Sequence, residues 1–389
     1  MEPSSAIQQM GRSGIREIFD LASMIPDAIH LEMGEPDFPT PSNVVEAAHR
    51  AGLAGVTKYT PNAGIRELRE ALANKISTRN GVDADADRIV VTPGAIAAIS
   101  DSFLALCDPG DQVLIPDPGW PNYAMIATMQ HLDAVRYPLR FDQGFRPDVN
   151  TIERLITPRT KVILLNSPSN PTGAIFEDSD LAALLELATA HDLWVISDEV
   201  YDEIVFDRSV APAAAAQGHT ERVITVWSFS KTYSMTGWRV GYALAPESLS
   251  PLLTKTQEPT TSCVNGPAQM AALEAVTGPQ TVVAEMVSEY RRRRDASVGI
   301  LADAGIPHAV PSGTFYLWID VSGTGVSSGD FCRRLLEETE VAVTPGSAFG
   351  PSGEGFVRVS LATEAGVLNE GVGRLAAFVE SRSSGIVSD

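Results

Sequence analysis

Residues 222–244, ERVITVWSFSKTYSMTGWRVGYA, restrict the architecture more than any other stretch. Val223 to Trp227 is an unbroken apolar run, and Arg239 to Leu244 reads as a second strand. Strands that are apolar throughout need cover on both faces, which a layered α/β protein provides and an open antiparallel sheet does not. Between them lies a small polar turn carrying Lys231, bracketed by Ser228, Ser230 and Thr232, with Arg239 further on. A lysine near the end of a buried strand is partly desolvated, which lowers its pKa and makes its amine nucleophilic. Hydroxyls and an arginine beside it suit a phosphate, because a guanidinium grips phosphate through two parallel N–H bonds. A nucleophilic amine next to a phosphate cradle suggests imine chemistry with pyridoxal phosphate. A solvated loop lysine after a core strand would have the same local sequence.

The rest of the chain repeats the pattern. Apolar strands are predicted near 88–92, 112–116, 133–138, 161–165, 193–197, 222–227 and 239–244. Helices are predicted between them near 95–106, 120–130, 148–156 and 178–191. This alternation predicts a mainly parallel, helix-covered sheet, whose ligands bind at the carboxyl ends of the strands. Chemistry-bearing residues do gather there: Gly94-Ala95-Ile96 after the first strand, Asn166 to Gly173 after 161–165, and Asp198 to Tyr201 after 193–197. Each segment alone reads equally well as a tight turn or a helix cap. Upstream, an amphipathic segment spans Ile15 to Ala22, and a helix capped by Ser42 runs to about Gly52. A helical region over 247–303 is broken at 260–267, and its run Arg291–Arg294 reads as a solvated face. Strands 315–321, 341–346 and 356–362 then form a second, smaller α/β layer. Arg358 sits among apolar neighbours in the last of these and needs an anionic partner, a structural carboxylate or a ligand's.

A net charge of −20 argues against a nucleic-acid surface. Cys107, Cys263 and Cys332 lie far apart without metal-ligand spacing, as expected of a reducing cytoplasm. Neither a signal peptide nor a membrane span is read in the sequence, so a soluble cytoplasmic protein is expected.

The ordered landmarks GEPDF, KYTPNAGIRELREAL, VVTPGA, NSPSNPTGA, SDEVY, SFSKTYSMTGWRVGYA, PSGTFY and VRVS resemble the fold-type I pyridoxal-phosphate enzymes. More closely, they resemble the class I/II aminotransferases related to bacterial aspartate aminotransferase. The resemblance implies a seven-stranded, mainly parallel sheet in a large domain over 45–284. A small domain would combine the N-terminal segment 1–44 with 285–389. It implies that Lys231 forms the internal aldimine and shuttles a proton, and that Asp198 pairs with the pyridine nitrogen. Tyr201 and Asn170 would donate to the ring oxygen, and Trp120 would stack on the ring. Gly94, Ala95, Ile96, Ser228, Ser230 and Arg239 would hold the phosphate. Arg358, with Asn170 and the backbone of Gly34, would clamp the substrate α-carboxylate. Tyr59 would reach the phosphate of a partner subunit, which implies a homodimer with shared active sites.

On this resemblance the chain is an enzyme of amino-acid metabolism. It would move the amino group of an L-amino acid to a 2-oxo acid such as 2-oxoglutarate by a ping-pong mechanism. Ile96 stands where aspartate-specific relatives place a lysine, and MGRSGIREIF replaces their Ser/Thr-rich N-terminal segment. A neutral or apolar donor is therefore expected; Arg16 or Arg12 could supply a replacement charge, but both are expected on a helix surface. A β-lyase acting on a sulfur amino acid would use the same lysine, aspartate and arginine, and is the alternative. A non-catalytic ligand sensor is the weaker third reading. A nicotinamide site is excluded for want of GxGxxG after the first strand.

Overall fold

The computed structural model describes residues 3–11 and 14–383. The apolar runs form a seven-stranded sheet. Its order is Ile89–Thr92, Gly241–Leu244, Val223–Ser228, Trp194–Asp198, Thr160–Asn166, Gln112–Asp117 and Asp133–Pro138. Five of its strands run parallel side by side, and Gly241–Leu244 runs antiparallel between them and the edge strand Ile89–Thr92. The strands around the centre are buried on both faces, whereas the edge strand Asp133–Pro138 is mostly half-buried. Helices such as Ala95–Leu106 and Asp178–Ala190 bury apolar residues against this sheet.

The second layer is a four-stranded sheet ordered Thr344–Pro345, Phe356–Ser360, Tyr316–Asp320 and His308–Ala309. The N-terminal strand Ile29–His30 pairs in parallel with Val341–Ala342, tying the first residues to the C-terminal part of the chain. Among the described residues no helix is long and apolar enough to cross a membrane.

Local expectations are revised at several points. The antiparallel strand begins at Gly241 and not at Arg239, because Arg239 has φ +55°, a left-handed conformation incompatible with a strand. Helices expected at 120–130 and 148–156 are shorter, at Asn122–Met129 and Val149–Glu153. The helix of residues 42–53 starts at Ser42 itself, with Pro41 in the capping position. The 247–303 region breaks twice, into Ser250–Thr260, Gly266–Thr277 and Thr281–Asp303, the second break falling at Gly278-Pro279. Nor is the arginine run a solvated face. At 3.6 residues per turn, consecutive positions spread over more than one side of a helix, so Arg293 and Arg294 turn inward. Arg293 grips Asp37 with two bonds of 2.9 and 2.8 Å, and Arg294 lies 4.5 Å from the Phe206 ring centroid.

Candidate active site

The parallel strands end on one edge of the large sheet, and the antiparallel strand begins there. Its register sets Gly241 opposite both Ser228 and Thr92. This brings the Arg239 loop, the Lys231 turn and the Gly94 turn together over a cavity of about 400 Å³, within the usual range for a small-molecule site. The cavity is lined by Gly34, Ala95, Ile96, Trp120, Asn170, Asp198, Tyr201, Ser228, Ser230, Lys231, Arg239 and Arg358. Gly94 adjoins it at the start of the helix behind Ala95. Tyr59 lies outside the lining and is 91% exposed.

Lys231 sits on a single helical turn, Phe229–Thr232, directly after its strand. Its Nζ donates to the carbonyl of Gly34 at 2.6 Å. Desolvation pulls its pKa down to about 8; Arg358 and Arg239 push the same way, against Glu35. Gly34 has to be glycine, because a Cβ there would lie 2.0 Å from the Tyr316 hydroxyl oxygen. The carboxylate contact expected of the Gly34 backbone would fall to its N–H, a different group from the carbonyl that Lys231 bonds.

At the other end of the cavity, Asp198 closes its strand and is buried. Burial pushes its pKa up to about 6, against bonds from the Tyr123 hydroxyl (2.6 Å) and the Val200 N–H (3.3 Å). Among the described residues no cation pairs with it, so the carboxylate faces the cavity without a positive partner. Tyr201 is buried beside it and shares a 2.9 Å hydrogen bond with Tyr316. Trp120 meets Tyr123 edge-on, with centroids 5.5 Å apart.

The polar corner opposite is built on Gly94, whose φ of +81° turns the chain into the helix Ala95–Leu106. A Cβ at Gly94 would lie 2.5 Å from Nη2 of Arg239. The helix N-terminus presents unpaired N–H groups to an anion. Ser228 Oγ caps the Lys231 turn by accepting from Ser230 N–H at 3.1 Å.

Arg358 is 1% exposed. It donates to Asn170 Oδ1 (3.0 Å) and to the Glu32 carbonyl (2.6 Å), and lies over the rings of Tyr316 and Phe349. Among the described residues no carboxylate forms an ion pair with it, and its Nε has no hydrogen-bond partner. Burial lowers its pKa, against Tyr316, Tyr201 and Glu32, which favour the charge. Of the two partners left open for this arginine, no structural carboxylate forms an ion pair with it among the described residues, although the buried Glu32 carboxylate is near enough to favour its charge.

Beneath the site, the turn after Asp198 is held by a buried ionic cluster. Lys75 Nζ lies 2.6 Å from Asp202 Oδ2 and 3.3 Å from Glu203 Oε1; Asn80 also bonds Asp202, and Arg79 pairs with Glu203. Burial pushes Glu199 up to about 8, although the Ala214 N–H and the Ser197 hydroxyl both bond its carboxylate.

Sequence reasoning gave no role to Tyr123, Tyr316 or this cluster. Tyr123 follows Trp120 by three positions at the entry to a helix, which was the available signal for it. Sequence reasoning favoured a helix surface for Arg16 over a charge at the substrate cavity. Arg16 is exposed, yet it lines the cavity. Arg12 lies outside the described residues.

A nucleophilic amine, an uncompensated buried carboxylate and an unpaired buried guanidinium on one cavity define an α/β enzyme for substrates that bear a carboxylate. The chain belongs to the aminotransferase class I and II family, whose model matches residues 26–375. It is 38% identical to aromatic-amino-acid aminotransferase 2 of Thermococcus litoralis over 98% of this chain and 99% of that one. It is 39% identical to an aspartate aminotransferase of Pyrococcus abyssi, over 96% and 97% of the two chains. The structure of aspartate aminotransferase from Thermus thermophilus with maleate superposes with a TM-score of 0.93 at 36% identity, covering 97% and 99%.

Proposed function

We propose that this aminotransferase moves the amino group of a neutral, largely apolar L-amino acid to a 2-oxo acid in two half-reactions at one cavity, with pyridoxal phosphate as cofactor. The observation that carries the reading is Arg358, a buried guanidinium without a carboxylate partner among the described residues, lining the same cavity as the Lys231 amine. The cavity chemistry suits the cofactor. Its phosphate would be held by the N–H groups at Gly94, Ala95 and Ile96 with Ser228, Ser230 and Arg239, and its ring by Trp120, Asn170 and Tyr201. When bound, the cofactor supplies an electron sink for the pair left on the substrate α-carbon.

The protein's side chains then have separable roles. Asp198, lacking a cation of its own, would hold a proton on the pyridine nitrogen. Lys231, with its amine pulled down to about 8, would take and return the proton at the substrate α-carbon near neutral pH. Arg358 would fix the α-carboxylate through two N–H bonds, and Asn170 Oδ1 orients that guanidinium. Ile96 gives the side-chain wall an apolar surface, which supports the neutral donor. Relatives named for aspartate and for aromatic amino acids match about equally well, so this part of the reading rests on the wall and not on the likeness. The exposure of Tyr59 supports its reaching a second subunit in a homodimer, and the three free thiols suit a reducing cytoplasm.

Titration of the loaded protein with single amino acids, followed in visible absorption, tests the function. Bleaching by neutral donors, reversed by a 2-oxo acid, is expected. Ammonia release without an acceptor would instead mark a lyase. Replacing Arg358 with Leu is expected to lower kcat/KM roughly 10²–10³-fold for every substrate, the loss of charge-assisted hydrogen bonds to the shared α-carboxylate. A loss confined to one donor would contradict that role.

A further inference from the structure

Glu32 bears on Arg358 in two ways. Its carbonyl accepts from Arg358 Nη2 at 2.6 Å and from Thr344 Oγ1 at 3.0 Å. Its side chain is fully buried and near enough to favour the guanidinium's charge, yet the two form no ion pair. The carboxylate is held elsewhere. His30 Nδ1 lies 2.8 Å from Glu32 Oε1, and the His30 side chain is 41% exposed, so this contact runs from the interior to the surface. The backbone between them is fixed: Leu31 N–H donates to the Ala342 carbonyl at 2.9 Å, and the Leu31 carbonyl accepts from Ser360 N–H at 2.7 Å. The remaining polar atoms are complementary orphans. Glu32 Oε2 is buried without a donor, and Arg358 Nε is buried without an acceptor. Buried groups left unmet in this way call for a reason.

A buried guanidinium is costly without an opposite charge. A direct ion pair would supply one, but it would also occupy the fork, and a substrate would have to break it. A carboxylate tethered to one side compensates the charge through space and leaves the fork open. Glu32 does not line the cavity, so an occupant feels it only across Arg358. We propose that Glu32 is a positioning residue for the clamp, a resident counter-charge that loosens the hold of Arg358 on the α-carboxylate so that product leaves readily. This rests on the aminotransferase reading, in which Arg358 binds that carboxylate. The negative charge is present whatever fills the cavity, so donors, acceptors and products are all held more loosely by a similar factor. Affinity is thereby set separately from the side-chain wall, which acts on the other end of the substrate.

The test uses holoenzyme of the wild type, Glu32→Gln and Glu32→Met. Both variants remove the charge; the first keeps the polar shape and the second only the bulk. In calorimetry, butyrate is expected to bind either variant roughly 5–30-fold more tightly than the wild type, the size of one charge interaction across several ångströms of protein. Butyramide, which carries no charge, is expected to bind all three proteins equally weakly. In turnover, KM for donor and acceptor is expected to fall by a similar factor while kcat stays within about threefold, the pattern of binding shared by ground and transition states. A purely structural glutamate would give weaker butyrate binding and a lower kcat. That result, unchanged affinity in both variants, or failure of both to fold would overturn the assignment. Any of these beside a wild type that transfers amino groups sinks this inference alone. A wild type that neither transfers amino groups nor binds butyrate sinks the parent reading and this one with it.

Discussion

Lys231→Ala is expected to lower turnover by at least about 10³-fold, near the upper range for loss of a positioned proton carrier, while leaving the fold intact. The side chain makes a single hydrogen bond, to the Gly34 carbonyl, and is only half-buried, so its removal strands one carbonyl at the edge of a cavity. Covalent capture gives an independent check. Borohydride treatment of the loaded wild type is expected to fix the cofactor to the peptide containing Lys231, and to fix none to the variant. The pH dependence follows from desolvation. With a pKa near 8, the amine of the cofactor-free protein is half deprotonated at about pH 8, whereas an ordinary lysine reaches that point near 10.4. Acylation of Lys231, read by mass spectrometry, should therefore rise through pH 8 and level off before surface lysines react. Labelling that tracks the surface lysines would remove the basis for its acid–base role.

The second large effect is on stability. Lys75→Met is expected to destabilise the protein by about 3–5 kcal/mol, the range for removing one partner of a buried ion pair. Lys75 is 7% exposed and bridges Asp202 and Glu203, both buried. Arg79 remains for Glu203, but Asp202 would keep only the Asn80 amide. Adding Asp202→Asn to Lys75→Met is expected to restore part of the loss, since the stranded charge goes with it. Chemical denaturation of the three proteins measures this. A loss below about 1 kcal/mol in Lys75→Met would place the pair among those of marginal worth. Because the cluster holds the turn that follows Asp198 and carries Tyr201, the variant should also bind cofactor more weakly.

The large sheet was legible because its strands are apolar at nearly every position, a pattern that survives any uncertainty about neighbours. Lys231, Asp198 and Asn170 were legible as cavity residues because they stand at or shortly after the ends of such strands. What was hidden is what depends on contacts distant in sequence. Tyr316 reaches Tyr201 from the other layer, and Lys75 meets Asp202 across 127 residues. Nothing local to either position signals those encounters. Arg293 and Arg294 misled for the converse reason: a run of like charges reads as surface, but helical geometry divided it between solvent and the Asp37 carboxylate. Arg16 fell between the two cases, since it is both exposed and on the cavity, and amphipathic periodicity distinguishes only inside from outside.

The pairing of Ile29–His30 with Val341–Ala342 also governs when the enzyme comes into being on the ribosome. The Glu32 carbonyl that Arg358 needs lies 326 residues before it. At the usual synthesis rate of about 5–20 residues per second, the N-terminal strand waits roughly 16–62 s for the segment that receives it. Through that interval the nascent chain can assemble much of the large sheet, with Lys231 in place but without Arg358. On the roles proposed for these residues, amino acids met during synthesis would find the amine without the group that orients them, and activity would begin only once the segment around residue 358 has been made.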